Sequence, residues 1–101
     1  METPFLQVPK RLFDPPYRTT LSNNAILLYA FLVERQKLSI KNGWYEDGEP
    51  FVFLTAEDAM KSICCSKPTA LTLFRELEAA RLIRREKQGN RACKIFVREG
   101  I

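Results

Sequence analysis

The chain has 101 residues, of which 46% are hydrophobic, and its net charge is +4. This length suffices for one domain with a modest core, but not for two. The sequence has no long apolar run and no signal-peptide pattern, which predicts a cytoplasmic protein without a membrane span. It also has no histidine, the commonest general base and metal ligand. We therefore expect a protein that is not an enzyme and that uses no metal and no cofactor.

The positive charge is concentrated near the C-terminus. Residues 81 to 99 contain seven lysines and arginines against two glutamates, which gives that segment a net charge of +5. The residues before it sum to −1. Such a localised basic segment indicates a polyanionic partner more strongly than the overall charge does.

The first 21 residues contain four of the six prolines, so we expect an extended N-terminal arm and not a helix. A turn is predicted near Asp14-Pro15-Pro16, and a short edge strand would fit around residues 6 to 8. Ser22 is a good N-cap, and an unbroken apolar run from Ala25 to Val33 predicts a first helix over residues 22 to 37. A helix that is apolar nearly all round is either a central core helix or one that also contacts a second chain.

Turn dipeptides mark the middle of the chain. Asn42-Gly43 and Asp47-Gly48 predict a loop or loose hairpin over residues 39 to 50, followed by a short buried strand at residues 51 to 54. Thr55 and Asp58 have the spacing of a capping box, which predicts a second helix over residues 56 to 63.

The segment ICCSKPTALTLFREL starts a third helix, predicted over residues 67 to 80. Ser66 can act as its N-cap, and Pro68 falls in the first turn, where a missing amide hydrogen costs little. Cys64 and Cys65 then lie in the turn between two helices, where they are better explained as small apolar side chains than as a thiol site. The exposed residues of this helix are expected to be Lys67, Thr69, Thr72 and Arg75.

Two β-capable runs follow, and residues 88 to 91 (QGNR) between them predict a β-hairpin over residues 82 to 97. Two helices joined by a short turn and followed by a hairpin form a winged helix-turn-helix. The predicted fold is thus α+β but mainly α, with a three-helix core, a short strand, a C-terminal wing and the N-terminal arm.

This fold suggests sequence-specific binding of double-stranded DNA, in which the third helix selects bases and the wing contacts the backbone. The predicted DNA-binding residues share a polar or basic side chain on these two elements: Ser66, Lys67, Thr69, Thr72, Arg75, Arg85, Lys87, Asn90 and Arg91. A transcriptional regulator of the GntR or MarR type would show the same local chemistry. Protein docking through the third helix is a further alternative.

Five segments resemble the N-terminal DNA-binding domain of the RepA-type plasmid replication initiators of Firmicutes. They are FLQVPKRLF with Tyr17, LSNNAILLYAFLVERQKLSIKNGW (21–44), FVFLTAEDAM (51–60), CSKPTALTLFRELEAARLI (65–83) and RREKQGNRACKIFV (84–97). The arm and the segment 21–44 are the most specific of these, since the third helix alone would suit many repressors.

The resemblance implies a protein that binds repeated sites in a plasmid origin and initiates replication. It also implies a homodimer, here expected through the N-terminal arm and the first helix, and a separate C-terminal domain that recruits host replication proteins. The sequence departs from the family at two places, where Ala80-Arg81 and Asn90-Arg91 replace pairs that usually contain glycine.

Overall fold

A computed structural model describes residues 10–15, 17, 21–88 and 91–98, although the side chains of residues 11, 87, 88 and 91–93 are not included. These residues form the predicted winged helix-turn-helix. After a 3-10 helix at Lys10–Phe13, the elements in chain order are α1 (Asn23–Asn42), β1 (Tyr45–Glu46), β2 (Glu49–Pro50), β3 (Val52–Phe53), α2 (Ala56–Ile63), α3 (Lys67–Ala79), β4 (Ile83–Gln88) and β5 (Arg91–Val97).

Two features of the N-terminal half differ from the prediction. The arm contains the short 3-10 helix, which lies between Pro9 and Pro15 and buries Leu12 completely. Helix α1 begins after the expected N-cap, Ser22, but continues five residues beyond Lys37 to Asn42. It ends only at Gly43, whose left-handed conformation (φ 75°) terminates the helix. The polar residues after Val33 are therefore part of the helix and do not end it. The suggested strand at residues 6 to 8 lies outside the described residues.

The strands form two small antiparallel sheets. Strands β1 and β2 pair across Asp47-Gly48, both of which have positive φ, as the turn dipeptide predicted. The second sheet has the order β3-β5-β4, with Val52 opposite Ile95 and Ile83 opposite Val97. Strand β3 is two residues shorter than the predicted span of 51 to 54.

The core lies between the three helices and the inner face of the β3-β5-β4 sheet. The helices and the sheet both contribute to its largest fully buried side chains, which are Leu12, Leu28, Tyr29, Leu32, Val52, Phe74, Leu77, Leu82 and Ile95. Most side chains of the Ala25 to Val33 run are buried in this core, whereas Leu27 is 36% exposed. Helix α1 is thus the central core helix of the domain.

Two polar side chains of α1 attach the base of the wing to the core. The side-chain amide of the buried Gln36 donates to the Val97 carbonyl (3.0 Å) and accepts from the Val97 amide (3.1 Å). Val97 lies in the part of β5 that does not pair with β3. The Tyr29 hydroxyl donates to the carbonyl oxygen of Arg98. These bonds satisfy backbone groups that would otherwise be buried without partners.

In the described part of the chain, no helix has the length and apolar content needed to cross a membrane.

Candidate nucleic-acid interface

Helices α2 and α3 and the turn between them are positioned by local hydrogen bonds. Thr55 and Asp58 form the predicted capping box at the start of α2, with bonds of 3.1 and 3.2 Å. The hydrogen bond from the Thr55 amide lowers the pKa of the Asp58 carboxyl, opposed in part by desolvation. Cys64 ends α2 in a left-handed conformation (φ 57°), and the Cys65 amide donates to the Met60 carbonyl (3.1 Å). The turn is therefore tight, and α3 begins two residues later.

The four residues predicted to point outward from α3 are all exposed. Lys67, Thr69, Thr72 and Arg75 lie on one side of the helix, which we call the exposed face of α3. Ala70, Leu73, Phe74 and Leu77 form the opposite, buried side. Because α3 is fixed by the core, its exposed face is presented on a rigid support.

Hydrogen bonds within the helix already engage the hydroxyls of this face. The Ser66 side chain accepts from the Thr69 amide (3.4 Å) and donates to Thr69 Oγ1 (3.0 Å), while Thr72 Oγ1 donates to the Pro68 carbonyl (3.0 Å). Lys67 and Arg75 have no ion-pair partner among the described residues. These two cations are therefore the groups on this face that are available to an anionic ligand, while the threonine oxygens keep lone pairs as acceptors.

Glu76 fixes α3 against the start of α1. Its carboxylate accepts from the Ser22 amide (2.8 Å) and from the Ser22 hydroxyl (3.2 Å), across 54 residues of sequence. A carboxylate at a helix N-terminus also interacts favourably with the helix dipole. Glu76 is adjacent to Arg75, so this contact determines the orientation of the turn that carries Arg75.

The wing residue Arg85 faces α3 and not the solvent. Its guanidinium pairs with Glu78 (2.6 Å) and lies 5.1 Å from the centre of the Phe74 ring, and its side chain is 24% exposed. This arrangement suits a residue that packs the wing onto α3. The charge of Arg85 is therefore balanced within the domain, and its contact with DNA stays a prediction from the sequence.

Two more basic residues of the wing are also paired. Arg84 bonds Glu49 (2.8 Å) and Lys94 bonds Glu46 (2.8 Å), so the β1–β2 hairpin packs its carboxylates against the sheet. The carboxylate cluster at residues 46 to 49 thus neutralises part of the basic segment.

Within the described residues, no three Cys, Asp or Glu side chains gather where they could hold a metal ion.

The predicted residues at the wing tip cannot be placed. Lys87 and Arg91 lie in β4 and β5, but their side chains are outside the described residues, as is the whole of Asn90. Their role in DNA binding stays a prediction from the sequence.

Two contributors to this surface were not identified from the sequence. Leu71 is half-buried on the side of α3 that carries Lys67 and Arg75, where it can offer an apolar contact. The helical period alone does not decide whether Leu71 or Leu73 lies on the buried side, which the structure assigns to Leu73. The role of Glu76 does not follow from the sequence, because no local pattern shows that Ser22 lies next to it.

Comparisons with known proteins agree with this arrangement. A family model described as the N-terminus of replication initiator protein A (RepA) matches residues 4–101. A solved structure described as the N-terminal domain of a DNA-binding protein is 30% identical, with a TM-score of 0.81 over 96% of this chain and 76% of that chain. A structure of a Rep-DNA complex gives the same values.

A third structure, of an initiator described as MDR, is 28% identical with a TM-score of 0.80, over 96% of this chain and 78% of that chain. Comparison with curated proteins gave no significant match. The family model covers nearly the whole chain, and the two structures at 30% identity share its fold along almost its full length. The chain therefore belongs to the RepA_N family, the N-terminal domain of the RepA replication initiators.

Proposed function

We propose that this domain binds double-stranded DNA sequence-specifically at a plasmid or mobile-element replication origin, as the N-terminal part of a replication initiator. The observation that carries the proposal is the exposed face of α3. On this helix, which the core holds rigidly, Lys67 and Arg75 have no ion-pair partner among the described residues and are accompanied by two exposed threonines. Membership of the RepA_N family and the similarity to a structure of a Rep-DNA complex support it.

The geometry suggests how such a complex would form. The N-terminus of α3 carries a positive dipole end next to Lys67, a combination that favours a DNA phosphate. Arg75 lies two turns further along the same side, where its guanidinium can donate two hydrogen bonds to a guanine in the major groove. Thr69 and Thr72, and the half-buried Leu71 between Lys67 and Arg75, would contact base edges and thymine methyl groups.

A binding titration tests the proposal directly. Fluorescence anisotropy would compare duplexes that tile the origin region of the native replicon with shuffled duplexes of equal composition, at several salt concentrations. We expect at least about 1,000-fold tighter binding to an origin duplex and weaker binding as salt rises. Absence of duplex binding at low salt would contradict the proposal.

The alternative function is a winged-helix transcriptional regulator. Family membership favours the initiator, and a footprint separates the two. Protection of an array of repeated sites in the origin supports the initiator, whereas protection of a single promoter operator supports the regulator.

We also propose that the domain acts by binding and not by catalysis, and that it does so in the cytoplasm.

Self-association through the arm and α1 is part of the proposal. Exposed apolar side chains on both elements support it: Phe13 on the 3-10 helix, and Leu27, Leu38 and Ile40 on α1 are between 36% and 57% exposed. Sedimentation velocity at tens of micromolar should show a dimer, and Leu38→Glu, a change at the most exposed of these positions, should shift it toward monomer. A wild-type protein that sediments as a monomer would contradict this part.

Recruitment of host replication proteins through a separate C-terminal domain is proposed from the family resemblance.

A further inference from the structure

A cleft of about 480 Å³ opens at the base of the wing, beyond the C-terminal end of α3. Its lining combines three arginines with apolar groups and two carboxylates, and we call it the arginine cleft: Glu49, Pro50, Glu78, Arg81, Leu82, Ile83, Arg84, Phe96, Val97 and Arg98. The volume falls within the range of clefts that bind small ligands or single side chains.

The arginine cleft lies at the end of α3 opposite to Lys67. Helix α3 has 13 residues, which places its C-terminal end about 20 Å from Lys67 at 1.5 Å per residue. The wing tip is also distant, because the six residues of β4 span about 20 Å between the cleft and the connection to β5. Arg75 is nearer, because it precedes Glu78 of the cleft lining by one helical turn.

Two of the three arginines have no counter-ion among the described residues. Arg81 follows α3 and is held by the bond from its amide to the Glu78 carbonyl (3.0 Å). The Arg98 amide donates to the Leu82 carbonyl (2.8 Å), which places Arg98 beside the residue that follows Arg81. The backbone thus brings Arg81 and Arg98, which lack a counter-ion in the described part of the chain, to the lining of one cleft.

The two carboxylates on the rim are already engaged. Glu49 pairs with Arg84, and Glu78 pairs with Arg85. Each is balanced by its own partner, so among the described residues neither is a counter-ion for Arg81 or Arg98. Pro50, Phe96 and Val97 supply apolar lining next to the arginines. This composition complements a ligand that joins one or two carboxylates to a large apolar group.

We propose that the arginine cleft is a docking site for a partner protein, and that it binds a short segment with an Asp or Glu beside a large apolar side chain. Arg81 and Arg98 would donate charge-assisted hydrogen bonds to the carboxylate, and the apolar side chain would pack against Pro50 and Phe96. The cleft residues are different from those of the exposed face of α3, so separate variants can test the two surfaces.

Amide chemical-shift mapping of the isotope-labelled domain tests the site with a defined probe, N-acetyl-Asp-Phe-amide. Titration to about 10 mM, a range that detects millimolar dissociation constants, should shift the amides of residues 81–84 and 96–98. The Asn-Phe analogue, which lacks the charge, should bind at least about tenfold more weakly. No shift in these amides, or equal binding of the two probes, would overturn the proposal.

Two variants and a competitor identify the groups responsible. Arg81→Gly removes the guanidinium but suits the left-handed backbone at this position (φ 60°), so it should fold and bind the probe at least about tenfold more weakly. Arg75→Gln, on the exposed face of α3, should leave probe binding unchanged. Retained binding by Arg81→Gly would overturn the proposal. Displacement of the probe by random duplex DNA would also overturn it, because the cleft would then be a phosphate site.

Discussion

The exposed face of α3 and the base of the wing both carry basic side chains, but they use them differently. On α3, Lys67 and Arg75 have no ion-pair partner among the described residues. At the base of the wing, Arg84, Arg85 and Lys94 are each paired with a glutamate at 2.6 to 2.8 Å, and we call these three the paired cations. A count of charges along the sequence treats all the cations of the wing alike, whereas the structure shows these three balanced by glutamates and leaves Arg81 and Arg98 without a counter-ion among the described residues.

The difference arises mainly from acids outside the basic segment. Glu46, Glu49 and Glu78 form the three shortest of these ion pairs and all precede residue 81, while Glu86, within the segment, lies 3.9 Å from Arg84. The net charge of +5 over residues 81 to 99 is therefore partly balanced in the folded domain. What remains available to an anion is set by which cations lack a partner, and not by the sum over a segment.

The largest effect on DNA binding is expected from Arg75. Arg75→Gln should weaken binding to the cognate duplex by about 10- to 100-fold and relax the preference at one base pair, because a bidentate contact to a base is lost. Anisotropy titrations against duplexes substituted at single positions would measure both effects. Uniform weakening on every duplex would instead show that Arg75 contacts a phosphate.

Lys67 should act mainly through charge. Lys67→Gln should weaken binding to cognate and shuffled duplexes alike and reduce the slope of log K against log salt by about 0.9. The slope is measured from titrations at four or more salt concentrations, with wild type as reference. An unchanged slope would mean that Lys67 does not contact the phosphate backbone.

Glu76 is expected to have the largest effect on stability among the changes considered. Glu76→Ala removes the acceptor of the Ser22 amide and hydroxyl, and should lower the free energy of unfolding by about 1 to 2 kcal/mol. Urea denaturation measures this change. The exposed Glu57→Ala on α2 is a matched control that should change stability by less than about 0.5 kcal/mol. Equal effects would argue that the Ser22 contact contributes nothing.

The paired cations should contribute to stability according to their exposure. Arg85→Gln breaks a half-buried ion pair that also lies over Phe74, and should cost about 1 kcal/mol. Arg84→Gln, in a pair whose side chains are 57% and 55% exposed, should cost less than about 0.5 kcal/mol. The reverse order in urea denaturation would show that exposure does not decide the strength of these pairs.

A small pH effect is expected from Asp58, whose pKa is lowered in the folded state by the hydrogen bond from the Thr55 amide. Its contribution to stability is fully present above the unfolded pKa of about 4 and is lost as pH falls through the folded pKa. Asp58→Asn should therefore be less stable than wild type at pH 6, and the difference should shrink toward pH 3. A difference independent of pH would contradict this assignment.

Much of the fold could be predicted from local signals. Ser22, Thr55 and Ser66 are N-caps as their residue types indicated, and Asp47-Gly48 forms the predicted turn. The end of α1 was missed, because Gln36 and Ser39 are polar and suggest the end of a helix. Both are buried, and Gln36 is satisfied by Val97, which lies 61 residues away in sequence. Helical period and polarity do not reveal such a partner.

The candidate site was predicted in part. The exposed face of α3 follows from the helical period, which assigns Lys67, Thr69, Thr72 and Arg75 to the side opposite the core. The pairing of Arg85 with Glu78 could not be predicted, because it depends on how β4 crosses α3. The same applies to the arginine cleft, where Arg81 and Arg98 are brought together by strand pairing and not by sequence proximity.

The most direct test compares two double variants that remove the same charge. Lys67→Gln with Arg75→Gln neutralises the exposed face of α3, and Arg84→Gln with Lys94→Gln neutralises two of the paired cations. On one origin duplex at fixed salt, the first should weaken binding by about 100-fold or more and the second by less than about threefold. Equal losses would contradict the account, since total charge and not its location would then govern binding.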